Sequence, residues 1–368
     1  MAPLPVFTRY LYLKNDVISA LRASLLNKDK ESSYFWASEL SFSGFIDDTI
    51  SALWEIYYHH YATSNIPLET YLKKKETTAI SEKQKQDFMC LIINNLLKRD
   101  STTDVYMLNR VTSEIYADDE EATMTLSEML DQEKLEALCH RWCCATDKER
   151  KDVVNTVNTF FTSKNIKTKI EKKNTNKHVN SKTIFITRVV QGFTTIKNTE
   201  ASNPKKKQQY VVPDSQLFEQ HKTKERDLDD TRYPYKIYKD AVKFSPNQYN
   251  IVSMNRQNIS DTHMDIWRNG FKWIPTAAKT TPVWRERVEK FGKLTDDETP
   301  SIVWNSDDDE EEFYEKYWYD TEEQPMEIQK RVIPRDMEKS SLFKTFQEKH
   351  NTNGLYNPCE EVITCLSE

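Results

Sequence analysis

The densest run of reactive side chains in this sequence is Cys139-His140-Arg141-Trp142-Cys143-Cys144. Thiolates and a neutral imidazole are the ordinary ligands of zinc. On a helix, however, Cys139 and Cys143 share one face while His140 and Cys144 lie on the adjoining one, so only two reach a common ion easily. A closed site would need help from Cys90, Cys359 or Cys365, and no Cys-x-x-Cys pair stands in the chain. The run therefore reads as small apolar core cysteines, and no metal is expected. His59 and His60 project about 100° apart on a helix. They adjoin Tyr57, Tyr58 and Tyr61, the pattern of a packed helix surface.

Phosphate and acyl chemistry fall away on composition. Five glycines, Gly44, Gly192, Gly270, Gly292 and Gly354, are too few and too scattered to write a P-loop or a dinucleotide fingerprint. No Gly-x-Ser-x-Gly elbow occurs. The expectation is a non-enzymatic protein with no catalytic residues and no cofactor.

Binding chemistry is better represented. Lys164, Lys167, Lys169, Lys172, Lys173, Lys177 and Lys182, and then Lys205, Lys206 and Lys207, can contact phosphates, with Phe185, Phe193 and Tyr210 beside them to stack on bases. Lys172, Lys173, Lys205, Lys206, Lys207 and Tyr210 are the candidate nucleic-acid residues. They are lysines rather than the arginines that grip phosphate bidentately, which points to unspecific contact or a solvated linker. The acidic run from Asp307 to Asp320 carries Phe313, Tyr314, Tyr317 and Trp318 as candidate anchors for a basic partner. Its alternative is a strap returning to the protein's own basic segment.

The elements that position these groups are mostly helices. Val17, Leu21, Leu25 and Leu26 follow helical spacing, as do Phe35, Trp36, Glu39 and Leu40 before Gly44, and Ile50, Leu53, Trp54, Tyr57, Tyr58 and Tyr61 before Pro67. Further helices are expected over 82–99, 103–116 and 125–163, the last with a break near Thr146. Short links between amphipathic helices favour antiparallel neighbours. After Lys164 the composition turns basic and Asn-rich. The β-branched run KTIFITRVVQGFTTI, interrupted by Gly192, and the later QQYVV predict a small β-hairpin or sheet. From Asp230 to Trp304 aromatics stand at irregular spacing, as in an extended arm whose rings dock one by one. The tail from Met326 reads as solvated, apart from one helix near 337–347.

The division expected is thus an α-helical array over 1–165, a basic linker with a small β element over 166–229, an aromatic-rich extended or mixed region over 230–325 and a solvated tail over 326–368. The fold class is mainly α, with a HEAT-like antiparallel array, a small β element and an extended C-terminal arm. The chain has 368 residues, 38% of them hydrophobic and 30% charged, with a net charge of −6. That is enough for a sizeable core beside solvated segments. Six cysteines in such a length are too sparse for a disulfide framework, so reduced thiols are expected. No uncharged apolar run approaches the roughly 20 residues that span a bilayer, and MAPLPVFTRY has no signal-like apolar region. A soluble intracellular protein is the expectation.

One resemblance adds to this reading. Asp16-Val17, Leu25-Leu26, Phe35-Trp36-Ala37-Ser38-Glu39-Leu40, Ser43-Gly44-Phe45, Trp54, Ile56-Tyr57-Tyr58 and Asn65 before Pro67 together resemble an uncharacterised protein family of nucleocytoplasmic large DNA viruses. The resemblance ends at about residue 70. It implies a viral protein in the infected cell's cytoplasm, in the viral factory or the virion, and brings no activity or site residues with it. The expected role is an adaptor or scaffold in viral gene expression, in translation initiation or transcription, with viral or host proteins as partners. Nucleic-acid binding and virion assembly are the alternatives. The tyrosine motif that engages a cap-binding protein is approximated only by Tyr12 with Val17 and Ile18, which the helical pattern claims for the core.

Overall fold

A computed structural model describes residues 4–114, 124–171, 176–200, 210–211, 215–222, 244–255, 265, 270–317, 339–351 and 354–366. The fold is mainly helical, with helix pairs joined by short turns, one two-stranded antiparallel sheet and aromatic clusters towards the C-terminus. Two compact units divide the chain. The first comprises Met1–Thr49, Ser81–Ile93 and Pro213–Met337; the second comprises Ile50–Ile80, Asn94–Val212 and Glu338–Glu368. Each gathers segments far apart in sequence, unlike the four consecutive regions expected from composition, because composition reports solvation along the chain and not which segments pack together.

In the first unit, α1 (Lys14–Leu26) and α2 (Lys30–Phe42) form a hairpin. The Asp29 side chain caps α2 by accepting from the Ser32 N–H, and Gly44 ends the pair at φ +92°, a conformation that a side chain disfavours. The N-terminal segment is held chiefly by its backbone. Trp284 Nε1 donates to the Thr8 carbonyl at 3.0 Å, and Thr281 Oγ1 to that of Phe7 at 2.6 Å.

The second unit is built on α3 (Ile46–His60) from residue 50, α4 (Ile66–Glu76), the C-terminal end of α5 (Glu82–Leu97) and α6 (Asp104–Glu114). It continues with α7 (Leu126–Asp131), α8 (Leu135–Cys144) and α9 (Asp147–Ser163). Pro67, which the sequence reading treats as a stop, stands in the first turn of α4, where its missing N–H costs nothing. Thr125 with Glu128 and Thr146 with Glu149 form capping boxes that start α7 and α9.

One expectation needs correction and two gain detail. The run expected to be β is α10 (Ser181–Glu200). Its Phe185, Ile186, Val189, Val190 and Phe193 recur at helical spacing and are all buried. The hydroxyls of Thr187, Thr194, Thr195 and Thr199 donate to the carbonyl one turn back, so the β-branched residues are satisfied inside the helix. The small sheet lies elsewhere, with β1 (Gly292–Leu294) antiparallel to β2 (Ile302–Trp304) in the register Lys293 to Val303.

The aromatic region, expected to be extended or mixed, is mixed. Before it comes the short α11 (Ser215–Glu219) and within it the short α12 (Asn250–Asn255), both of the first unit. Phe244 docks singly, stacked on Phe35 with ring centroids 3.9 Å apart. Beyond it stand α13 (Ile274–Thr280), α14 (Pro282–Glu289) and, after the hairpin, α15 (Asp307–Tyr317). The acids that look like a solvated run fill the first turn of α15, where the helix dipole favours negative charge. The tail carries the helix expected near 337–347 as α16 (Lys339–His350); what was not expected is α17 (Glu360–Cys365) and the burial of Leu342, Phe343, Phe346 and Tyr356.

Candidate functional site

Several residues singled out in the sequence are placed in the core. Phe185 stacks on Trp142 at 4.7 Å and Phe193 packs on Phe160 and Phe161, so neither ring is available to a base. Phe313 and Tyr317 are buried among Trp284, Phe291 and Trp304; they anchor α15 to its own unit and are not exposed to a partner. Tyr314 packs edge-on against Trp304 and is half-buried. His60 is fully buried, its Nδ1 3.0 Å from the Thr102 carbonyl oxygen, and His59 lies 3.5 Å from Glu55. Cys139 is buried and burial pushes its thiol up, while the exposed Cys144 sits 3.3 Å from His140 Nε2. Among the described residues no three His, Cys, Asp or Glu side chains converge as metal ligands. Lys172, Lys173, Lys205, Lys206, Lys207 and Trp318 lie outside the described residues.

Two polar constellations in the second unit were not legible in advance. His178 stands in the Lys- and Asn-rich stretch, and its Nδ1 lies 2.8 Å from Ser51 Oγ and its Nε2 2.6 Å from Glu76 Oε1. Trp54 Nε1 donates to the other Glu76 oxygen at 3.1 Å. In the tautomer with the proton on Nε2, that nitrogen donates to the carboxylate and Nδ1 accepts from the Ser51 hydroxyl. This is the order of a nucleophile relay. Ser51, however, is in the interior of α3, whose main-chain N–H groups are engaged along the helix and cannot serve an oxyanion. The line acts as a clamp, tying residues 176–180 to α3 and α4. Beside it, Glu69 accepts from Tyr58 Oη at 2.8 Å and pairs with Arg188 at 2.7 Å and Lys73 at 2.9 Å. Burial alone would raise the Glu69 carboxyl, but the Arg188 charge and the hydrogen bonds from Lys73 and Arg188 outweigh it and hold it below the ordinary value of 4.5.

A site that holds a ligand-like segment is on α4 and α5. Asn95 and Arg99 stand one turn apart at the end of α5. Arg99 Nη1 donates to the Asn95 carbonyl at 2.7 Å and to its Oδ1 at 2.9 Å, which fixes the amide's orientation. Fully buried, that amide grips the backbone of Val211 at two points, with Nδ2 donating to the Val211 carbonyl and Oδ1 accepting the Val211 N–H, each at 3.2 Å. The neighbouring Tyr210 is 43% exposed and stacks on Tyr71 of α4, centroids 4.0 Å apart and planes 15° from parallel. Lys75 Nζ is 5.8 Å from the Tyr71 ring and the Arg99 guanidinium 5.9 Å from the Tyr210 ring. Tyr210 was proposed as a base-stacking residue; here its partner is another tyrosine.

The same device occurs once more among the described residues of this unit. Asn158 of α9 accepts the Ile170 N–H at 2.8 Å and donates to the Ile170 carbonyl at 3.0 Å. It lies along a polar groove of about 910 Å³, between Asn155, Thr159 and Thr162 on one side and Lys169 and Glu171 on the other. Helix-borne asparagines thus hold extended backbone by reading its N–H and C=O together, whatever side chain the gripped residue carries. Compared with models of known protein families, with curated proteins and with solved structures, the chain finds no match.

Proposed function

We propose that this chain is a non-enzymatic adaptor of a large DNA virus that works through protein contacts in viral gene expression. The observation that carries this reading is the Asn95 grip: a helical array that already holds an extended segment by its backbone and one aromatic ring has the chemistry to hold extended segments of other proteins. The viral setting, the host cytoplasm or the virion, follows from the resemblance over the first 70 or so residues. No helix among the described residues is long and apolar enough to cross a membrane, and the partners proposed are proteins.

Affinity purification of the tagged chain from infected cells, with and without nuclease, tests the reading. Translation or transcription factors that persist after nuclease uphold it; capsid components moving with the chain would replace it with a role in assembly.

A second reading has its own observation. Lys169 lines the polar groove on α9, and Lys164 and Lys167 are exposed in the same stretch of chain, a surface that suits a phosphate backbone. It is the nucleic-acid alternative, and it predicts nuclease-sensitive recovery and oligonucleotide retention that weakens when Lys205, Lys206 and Lys207 become Glu.

A further inference from the structure

The Asn95 grip, taken together with the adaptor reading on which this step rests, identifies a class of ligand. We infer that Asn95, Arg99 and Tyr71 form a docking site for an extended, acidic, tyrosine-bearing peptide of a partner protein, occupied in cis by Tyr210–Val211 until such a peptide displaces it.

Three features support this. First, the site is built. Asn95 is fully buried, and its side chain reaches a residue 116 positions away while Arg99 locks its orientation. A buried amide left without that partner would be costly, so the site keeps an occupant.

Second, the present occupant is held lightly. Ile170, the other gripped residue, is buried, whereas Val211 is half-buried and the adjoining Tyr210 is 43% exposed, its hydroxyl meeting the Pro67 carbonyl only at 3.4 Å. The Asn158 grip thus holds a buried residue, whereas the Asn95 grip holds a surface segment within reach of a competing peptide.

Third, the charges favour another ligand. Arg99 and Lys75 flank the stacked rings, and Lys74 and Lys98 are exposed next to them in sequence. A peptide with carboxylates beside its tyrosine would complement these cations.

An adenine edge also offers a donor and an acceptor to an asparagine amide, and Tyr71 can stack on a base. The occupant seen is a peptide backbone, and the peptide is therefore the ligand inferred.

The test uses the full chain carrying Tyr210→Gly and Val211→Pro, which removes the stacked ring and the N–H that Asn95 reads and so empties the site, with circular dichroism and melting temperature as the check on folding. Fluorescent peptides of residues 205–214, KKKQQYVVPD, are compared in native form and with the three lysines replaced by Asp; ten-residue oligoadenylate is the third probe. The acidic peptide is expected to bind the emptied chain about tenfold more tightly than the native peptide, and the unmodified chain about tenfold more weakly than the emptied one. Tyr71→Ala in the emptied background should remove the binding, as should Asn95→Ala; if the latter fails to fold, the former carries the test.

Failure of the acidic peptide to bind a folded emptied chain, or binding indifferent to Tyr71→Ala, overturns the inference. So does oligoadenylate binding in preference to the peptide. If nuclease-resistant partners persist in cells while the peptide fails, the docking site falls and the adaptor reading stands. Peptide binding with no such partners upholds the site and overturns the adaptor reading.

Discussion

Arg9 and Glu39 are among the most deeply buried charged side chains, and they meet at 2.7 Å. Glu39 accepts the Tyr10 N–H at 3.0 Å with its other oxygen, and Arg9 donates to the His221 carbonyl at 2.8 Å. A pair so placed gains little over an apolar pair of the same shape, but losing one member strands the other charge away from water. Glu39→Ala is expected to destabilise the fold by about 3–5 kcal/mol in urea titrations, and Glu39→Leu, which leaves Arg9 equally stranded, by a similar amount. A near-neutral result for either would mean that Arg9 escapes to solvent. Glu69 makes a pH prediction. Its folded pKa lies below the ordinary 4.5, so its stabilisation is fully present above that value and is lost as pH falls through the folded pKa. Glu69→Gln should therefore lower stability at neutral pH and flatten the acid limb below about pH 4.5, seen as a smaller change in urea midpoint between pH 6 and pH 3. An unchanged acid limb would place its titration elsewhere, for example on Glu76, which is shifted in the same direction.

At the scale of elements, legibility tracks how local the signal is. The capping boxes of α7 and α9 are written within four residues and can be read directly as Thr-x-x-Glu. The face of α10 was also written in the chain, at positions 185, 186, 189, 190 and 193, but β-branched composition outweighed its period. Propensity is the weaker guide when hydroxyls can bond one turn back. The grip and the clamp were not legible, because Asn95 meets Val211 and His178 meets Glu76 only after folding has joined segments more than a hundred residues apart. Gly192 illustrates both halves of this. In sequence it looks like a strand interruption; in the structure it is where α10 passes the buried ring of Phe161, and a Cβ there would fall inside that ring's envelope. Ala would gain about 1 kcal/mol of helix propensity. Overpacking should cost about 1–3 kcal/mol and prevail, since the Phe161 ring is enclosed by its neighbours. A lowered melting temperature for Gly192→Ala is the expected outcome, and a raised one would show that Phe161 swings aside.

For the molecule as a whole, charge separates the two binding readings. The net charge of −6 repels a polyanion at long range, so nucleic-acid contact would depend on local cations such as the exposed Lys164, Lys167 and Lys169 that follow α9. Three phosphate contacts on a single strand give a slope of about −2 in log K against log salt, so a rise from 50 to 200 mM salt would weaken binding about 20-fold. Such a surface is auxiliary at physiological salt. The Asn95 grip works by neutral amide hydrogen bonds and ring stacking, which salt screens little, with the flanking cations adding a smaller dependence. Lys164→Glu, Lys167→Glu and Lys169→Glu together are therefore expected to abolish low-salt oligonucleotide retention, measured by filter binding, while leaving nuclease-resistant protein partners in place. Retention that survives both 200 mM salt and the triple substitution would shift the reading of this chain to a dedicated nucleic-acid-binding protein.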